Sequence, residues 1–155
     1  MSEKKQKDST KMQILGQFIK DLSFENIAAQ ESKQGTGAPN IDVEVKLHAS
    51  KRTQDDQYNC SIKINVESKD AETNENIFLL ELDYGGIFKI ENIANDQLHP
   101  FLMIECPRML FPFVRRVIHD VTRDGGYHPV NLDSIDFLSM YKAEVSRLST
   151  EPKLN

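Results

Sequence analysis

Four histidines, two cysteines and a scattered set of carboxylates are the residues of this 155-residue chain whose types could do chemistry. His48, His99, His119 and His128 never pair at metal-ligand spacing on one element. Cys60 and Cys106 have no Cys or His neighbour at such spacing either. Cys60 takes an inward position in an alternating segment, where a free thiol behaves as a small apolar side chain. There is no Gly-x-Ser-x-Gly elbow and no Walker loop. Gly85-Gly86 lies inside a strand pattern and lacks the third glycine of a phosphate-binding turn. Asp21 and Glu25 stand four apart on a strand, so they share a face about 13 Å apart. That is too far for the carboxylate pair of a retaining glycosidase. His119 with Asp120 and Tyr84 with Asp83 are the remaining polar pairs. Sequence neighbours seldom converge on one point, and a small α+β enzyme or small-ligand binder would need such convergence. No catalytic residue, cofactor site or metal site is therefore assigned.

The elements that position these residues read more clearly. From Met12 to Glu25 the pattern has period two. Ile14, Gly16, Phe18, Leu22 and Phe24 are expected on one face; Gln13, Gln17, Asp21, Ser23 and Glu25 on the other, joined there by Leu15 and Ile19. Residues 28–40 are polar and rich in Gly and Pro, which predicts a long loop. Ile41 to His48 alternates without a break. Tyr58 to Val66 repeats the alternation, and Ile77 to Ile90 makes a fourth strand with a bulge or sharp twist expected at Gly85-Gly86. Short turns make the last three strands an antiparallel meander. The period then changes. Leu110, Val114, Val117, Ile118 and Val121 form a helical stripe, with Pro112 expected in the first turn and Gly125-Gly126 at the end. Asp133 is expected to cap a final helix carrying Leu138, Tyr141, Val145 and Leu148 on one side. Strands followed by helices define the α+β class. A single domain is expected over residues 12–148, with a disordered tail at 1–11 and a frayed one at 149–155.

Asp42, Glu44, Glu67, Glu81 and Asp83 point away from the apolar side of these strands, opposed only by Lys46 and Lys63. Leu79 interrupts that polar face beside Glu81. The chain carries 24 acidic and 19 basic residues, a net charge of −5. This disfavours nucleic acid and anionic membrane surfaces as partners. No apolar run approaches the roughly 20 residues that span a bilayer, so no membrane insertion is expected. The Lys-rich start leads into no apolar signal core, so a cytoplasmic location is expected. The aromatic set Phe88, Phe101, Phe111, Phe113, Tyr127 and Phe137 could simply fill the core of a monomer; the interior of so small a fold is limited, however, and any surplus would mark oligomer contacts or a ligand groove.

Several segments together resemble the SecB family of protein-export chaperones. They are Lys20-Asp21-Leu22-Ser23-Phe24-Glu25, Val43-Glu44-Val45-Lys46-Leu47 and Phe78-Leu79-Leu80-Glu81 running into Gly85-Gly86-Ile87-Phe88. Beyond them come Cys106-Pro107, Leu110-Phe111-Pro112, Pro129-Val130-Asn131-Leu132 and Ile135-Asp136-Phe137. Order and spacing hold from about Gln13 to about Tyr141.

The resemblance implies a four-stranded antiparallel sheet with two helices packed on one face, assembling as a dimer of dimers. It implies a homotetramer that holds unfolded preproteins without ATP and passes them to the SecA translocase motor. The zinc of that docking would belong to the partner. By position, the translocase-binding residues would be Asp21, Glu25, Leu79 and Glu81, which alternation independently puts on one face. The client groove would involve Phe24, Ile27, Phe88, Phe111, Phe113, Phe137 and Tyr141, and the tetramer contact Val117, Ile118 and Val121. The polar first loop has no Trp, so residues 28–38 are expected to act as a mobile flap rather than a wall. Some relatives guard toxin–antitoxin systems, and that remains an alternative client.

Overall fold

A computed structural model describes residues 9–33 and 38–150. Its elements are β1 (Lys11–Glu25), a single turn α1 (Ile27–Gln30), β2 (Pro39–Lys51), β3 (Gln57–Asp70), β4 (Asn76–Glu91), α2 (Asn95–Asp124) and α3 (Phe137–Thr150). The expected N-terminal tail thus gives up Lys11 to β1, and its residues 1–8 lie outside the described residues. The sheet order is β1-β4-β3-β2, with every neighbour antiparallel. The meander β2-β3-β4 is as expected, and β1 adds to the far side of β4. Both β1 and β2 are therefore edges, and residues 26–38 carry the chain from one edge to the other.

The hairpins close on local chemistry. Asp70 Oδ1 accepts from the amides of Glu72 (2.8 Å) and Thr73 (3.1 Å) in the β3–β4 turn. Those two backbone donors, Thr73 first, hold its carboxyl below the usual carboxylate range. Asp56, Asn74 and Asn92 take φ near +60° at the strand ends, where Asp and Asn tolerate the left-handed region.

β1 departs from the simple alternation. Its pairing with β4 shifts register between Ile14 and Gly16 and again between Ile19 and Asp21. Each shift inserts one extra residue, Leu15 and then Lys20, and each flips the side-chain phase. Gly16 and Phe18 therefore pair with Ile87 and Gly85 on the outer face, not with Ile14 as expected. Ile19 pairs with the buried Tyr84 on the helix face. The second bulge restores the phase, so Asp21, Ser23 and Glu25 point outward. The apolar intruders Leu15 and Ile19 were the trace of these bulges.

One face of the sheet is covered by α2. Ile62, Ile64, Val66, Phe78, Leu80, Leu82 and Phe88 meet Leu110, Val114 and Ile118, all at 2% exposure or less. Burying each such side chain contributes on the order of 1.5–3 kcal/mol. A Cβ at Gly86 would lie 2.8 Å from the Phe88 ring and 3.0 Å from Leu110 Cδ2. The glycine lets helix and strand approach that closely. α2 begins 17 residues before Pro112 (112 minus 95) and contains Pro100, Pro107 and Pro112. Pro112 is thus an interior residue, not a first-turn one. Each proline removes one amide from the helix ladder, and packing against the sheet outweighs that loss. α3 leans on α2 rather than on the sheet, with Phe111 and Phe137 edge to face at 5.9 Å. Its cap is Asp136, whose Oδ1 accepts from Ser139 N at 3.0 Å. Asp133 stands too far upstream to reach that amide.

Candidate functional site

Among the described residues the thiols and the His119–Asp120 pair singled out from the sequence lie apart from one another. Among the described residues no three His, Cys, Asp or Glu could hold a metal ion together. Cys60 donates to the Leu102 carbonyl at 3.1 Å inside the core. Hydrogen bonding to Cys60, then burial, pushes the Cys106 thiol far above its ordinary value, which disfavours its thiolate form. His119 Nδ1 and Asp120 Oδ1 meet at 3.1 Å on the flank of α2, and Arg116 Nε lies 3.7 Å from the other Asp120 oxygen, which makes a surface charge cluster along one helix.

The outer sheet face is organised in rows. Cross-strand register puts Asp42, Glu67, Leu79 and Glu25 in one line across all four strands. Glu44, Asn65, Glu81 and Ser23 form the next, and Lys46, Lys63, Asp83 and Asp21 the third. Leu79 thus sits directly between Glu67 and Glu25. A shallow hollow of about 280 Å³ opens beside it, lined by Asp42, Glu44, Asn65, Glu67, Leu79 and Glu81. Lys20, Lys46 and Lys69 lie 3.9, 3.5 and 3.5 Å from Asp83, Glu44 and Glu67. Among the described residues Asp21, Glu25, Asp42 and Glu81 have no cationic partner within 4 Å. The unneutralised charge therefore concentrates around Leu79, and all four residues singled out from the sequence lie within these three rows.

The helix face carries the apolar surface. A hollow of about 580 Å³ lies between α1, the β2 edge and the end of α2, lined chiefly by Ala28, Ala29, Pro39, Ile41, Ile77, Phe78, Gly125, Gly126, Tyr127 and Val130. A second, of about 380 Å³, lies between β2 and α3 and is lined by Val45, Leu47, His99, Met103, Met140, Tyr141, Val145 and Leu148. Ile41, Val43, Val45 and Leu47 point to the same side of β2, and Ile41 and Val43 are 42% and 43% exposed. They lay an apolar strip of about 20 Å between the two hollows at the usual strand rise. A third recess, of about 400 Å³, follows the β1 edge and is lined by Phe18, Ile19, Leu22, Tyr84, Phe113, Val117 and Val121.

The residues expected in the groove divide four ways. Phe88, Phe111 and Phe137 are sealed in the core at 0%, 6% and 1% exposure, so they underpin the surface and do not line it. Their rings fill the sheet–helix and α2–α3 contacts, which needed more aromatic volume than expected. Tyr141 lines the second hollow, its hydroxyl 3.3 Å from His99 Nδ1. Phe113 lies in the β1-edge recess, away from both other hollows. Phe24 lies behind the first hollow, tilted against Phe78 at 5.5 Å, and Ile27 is half-buried on α1. Of the expected tetramer contacts, Val117 and Val121 reach the surface but Ile118 is wholly buried. The first loop also differs from expectation. Ala28, Ala29 and Lys33 form one wall of the 580 Å³ hollow, while residues 34–37 of the expected flap lie outside the described residues. Ile41, Val43 and the wall at Gly125–Tyr127 were missed. Clean alternation at a strand edge was the available signal for the first two.

Fold and surfaces define the class: an α+β protein that presents an acidic and an apolar surface on opposite faces of one sheet. A family model described as SecB, preprotein translocase subunit SecB, matches residues 5–148. The chain is 62% identical over 138 residues to the protein-export protein SecB of Jannaschia sp. (strain CCS1), covering 88% of this chain and 81% of that protein. With the protein of that name from Roseobacter denitrificans it shares 52% over 152 residues, 97% of this chain and 92% of the relative. The fold is similar to that of a Mycobacterium tuberculosis SecB-like chaperone solved with a ChAD peptide from an antitoxin. There the TM-score is 0.64 at 12% identity, over 80% of this chain and 90% of that one. The chain belongs to the SecB family.

Proposed function

We propose that this chain is a chaperone of protein export that holds unfolded preproteins on its helix-side hollows and delivers them to the SecA translocase motor through its outer face. The observation that carries the reading is the separation of the two surfaces. Apolar hollows joined by a strand-length strip suit an extended, unfolded segment. An acidic face with a central leucine suits a basic, folded partner. Relatives at 52% and 62% identity bear protein-export names, which favours exported preproteins over an antitoxin as the client.

Holding needs no chemistry. Apolar client side chains leave water at roughly 25 cal/mol per Å² buried. Several weak sites acting on one chain raise the effective concentration and make the total tight. A client that folds quickly hides its segments and escapes. Calorimetry of an unfolded precursor, without nucleotide and with EDTA, should give a negative heat-capacity change, the signature of apolar burial. Loss of binding in EDTA, or a strict need for ATP, would overturn this reading. No helix among the described residues is long and apolar enough to cross a membrane, and we place the protein's work in the cytoplasm.

A dimer of dimers is the assembly that the exposed apolar surface favours. β1 is a 15-residue edge strand on which Leu15, Phe18, Ile19 and Leu22 are each 38–46% exposed. A long apolar edge is a template for another strand, and a second copy of β1 is the economical occupant. Met109, Phe113, Val117 and Val121 recur every four residues on α2 beside it, leaving a helical stripe for the contact between dimers.

A further inference from the structure

Asn26 stands where β1 ends, and its side-chain amide joins both walls of the hollow between α1, the β2 edge and the end of α2. Its Oδ1 caps α1 by accepting from Ala29 N at 3.3 Å. The same oxygen accepts the Tyr127 hydroxyl proton in a short hydrogen bond. Its Nδ2 donates to the Gly125 carbonyl at 2.9 Å. Ala29 belongs to one wall of the 580 Å³ hollow, and Gly125 and Tyr127 to the other. One planar group of fixed size therefore ties a wall made by the strand crossover to a wall made by the end of α2.

The packing behind the clasp leaves little slack. The Phe24 ring lies so close to Gly125 that a Cβ there would meet it at 2.7 Å. Phe24 packs at a tilt against Phe78, and Phe78 meets Tyr127 edge-on at 5.1 Å. Burial raises the Tyr127 hydroxyl above its ordinary value, so it remains a donor at neutral pH. Both polarities of the Asn26 amide are needed. A carboxylate in its place would still accept from Ala29 and Tyr127 but would have no proton for the Gly125 carbonyl.

We propose that Asn26 is a positioning residue that sets the width of this hollow and thereby the size of the apolar client side chain it admits. The inference rests on the reading of the hollow as a client site. Without the clasp, the Gly125–Tyr127 wall keeps its backbone bonds to Val121, Arg123 and Thr122 at the end of α2, but ring packing alone joins it to the crossover side, and the gap between the walls yields to a bulkier side chain.

The test uses the full chain and two labelled peptides, neutral and unstructured, identical but for one central residue, Leu in the first and Trp in the second. Their dissociation constants are measured by anisotropy on the wild type, Asn26→Asp and Tyr127→Phe. Each substitution removes one neutral hydrogen bond of the clasp, so the ratio of Trp-peptide to Leu-peptide affinity should rise about three- to tenfold. The double variant should give no more than the larger single effect, because both bonds serve one clasp. If the melting temperature falls while the ratio stays at the wild-type value, Asn26 is merely structural and the proposal fails. Tyr127→Phe keeps the ring and its packing, so a poorly folded Asn26→Asp does not rescue the proposal. If the wild type binds neither peptide, the client reading itself is wrong and this inference falls with it.

Discussion

A double variant, Asp21→Lys with Glu81→Lys, should bind the translocase motor roughly tenfold or more weakly at low salt and should lose most of the salt dependence of that binding. The reasoning starts from register. Asp21 lies across from Asp83, and Glu81 lies between Asn65 and Ser23, one row from Leu79. Both carboxylates are exposed, so they act on a basic partner through long-range charge, which governs encounter and is screened by salt. Leu79 adds apolar contact that salt does not weaken, so some binding should persist at high ionic strength. Client holding and assembly mass should stay at wild-type values, because both substitutions point away from the helix face. Equal loss of motor binding and client holding, with the fold intact, would place the two sites wrongly. Unchanged motor binding would reduce this face to a solvated surface.

The second large effect separates two neighbours on α2. Val117 is half-buried in the β1-edge recess, in line with the exposed Met109 and Phe113. Val117→Asp should leave the protomer folded but shift the mass measured by light scattering from four chains to two. A charge at a dry interface is desolvated without a partner, which costs several kcal/mol. Ile118 is 0% exposed beneath the same turn. Ile118→Asp should instead unfold the protomer, since a penalty of that size is comparable with the 5–15 kcal/mol stability of a domain. A folded tetramer of Val117→Asp would remove α2 from the contact between dimers.

Strands β2, β3 and β4 were legible because one face of each is buried and the other wet, and period two follows directly. β1 was only half legible. Its two bulges shift the phase without changing composition, and Leu15 and Ile19 registered merely as misplaced apolar residues. The first half of α2 was hidden by Pro100 and Pro107, which read as breakers when the helix is considered alone. The sheet beneath it supplies what the prolines remove. The acidic face was readable because it depends on alternation alone. The apolar site was not, because aromatic content does not say which rings are sealed. Phe88 shares the phase of Leu80 and Leu82, and that phase already pointed inward. Gly125-Gly126 read as a helix stop, and only the fold brings it opposite Asn26 and Ala29.

Refolding of a purified secretory precursor, diluted from denaturant with and without this protein in the absence of nucleotide, tests the central claim most directly. A chaperone that captures unfolded chains should slow the appearance of native precursor in proportion to its concentration. It should do so more strongly for a slowly folding precursor than for a fast one, since folding competes with capture. An unchanged refolding rate at saturating protein, for precursors of both kinds, would contradict the account.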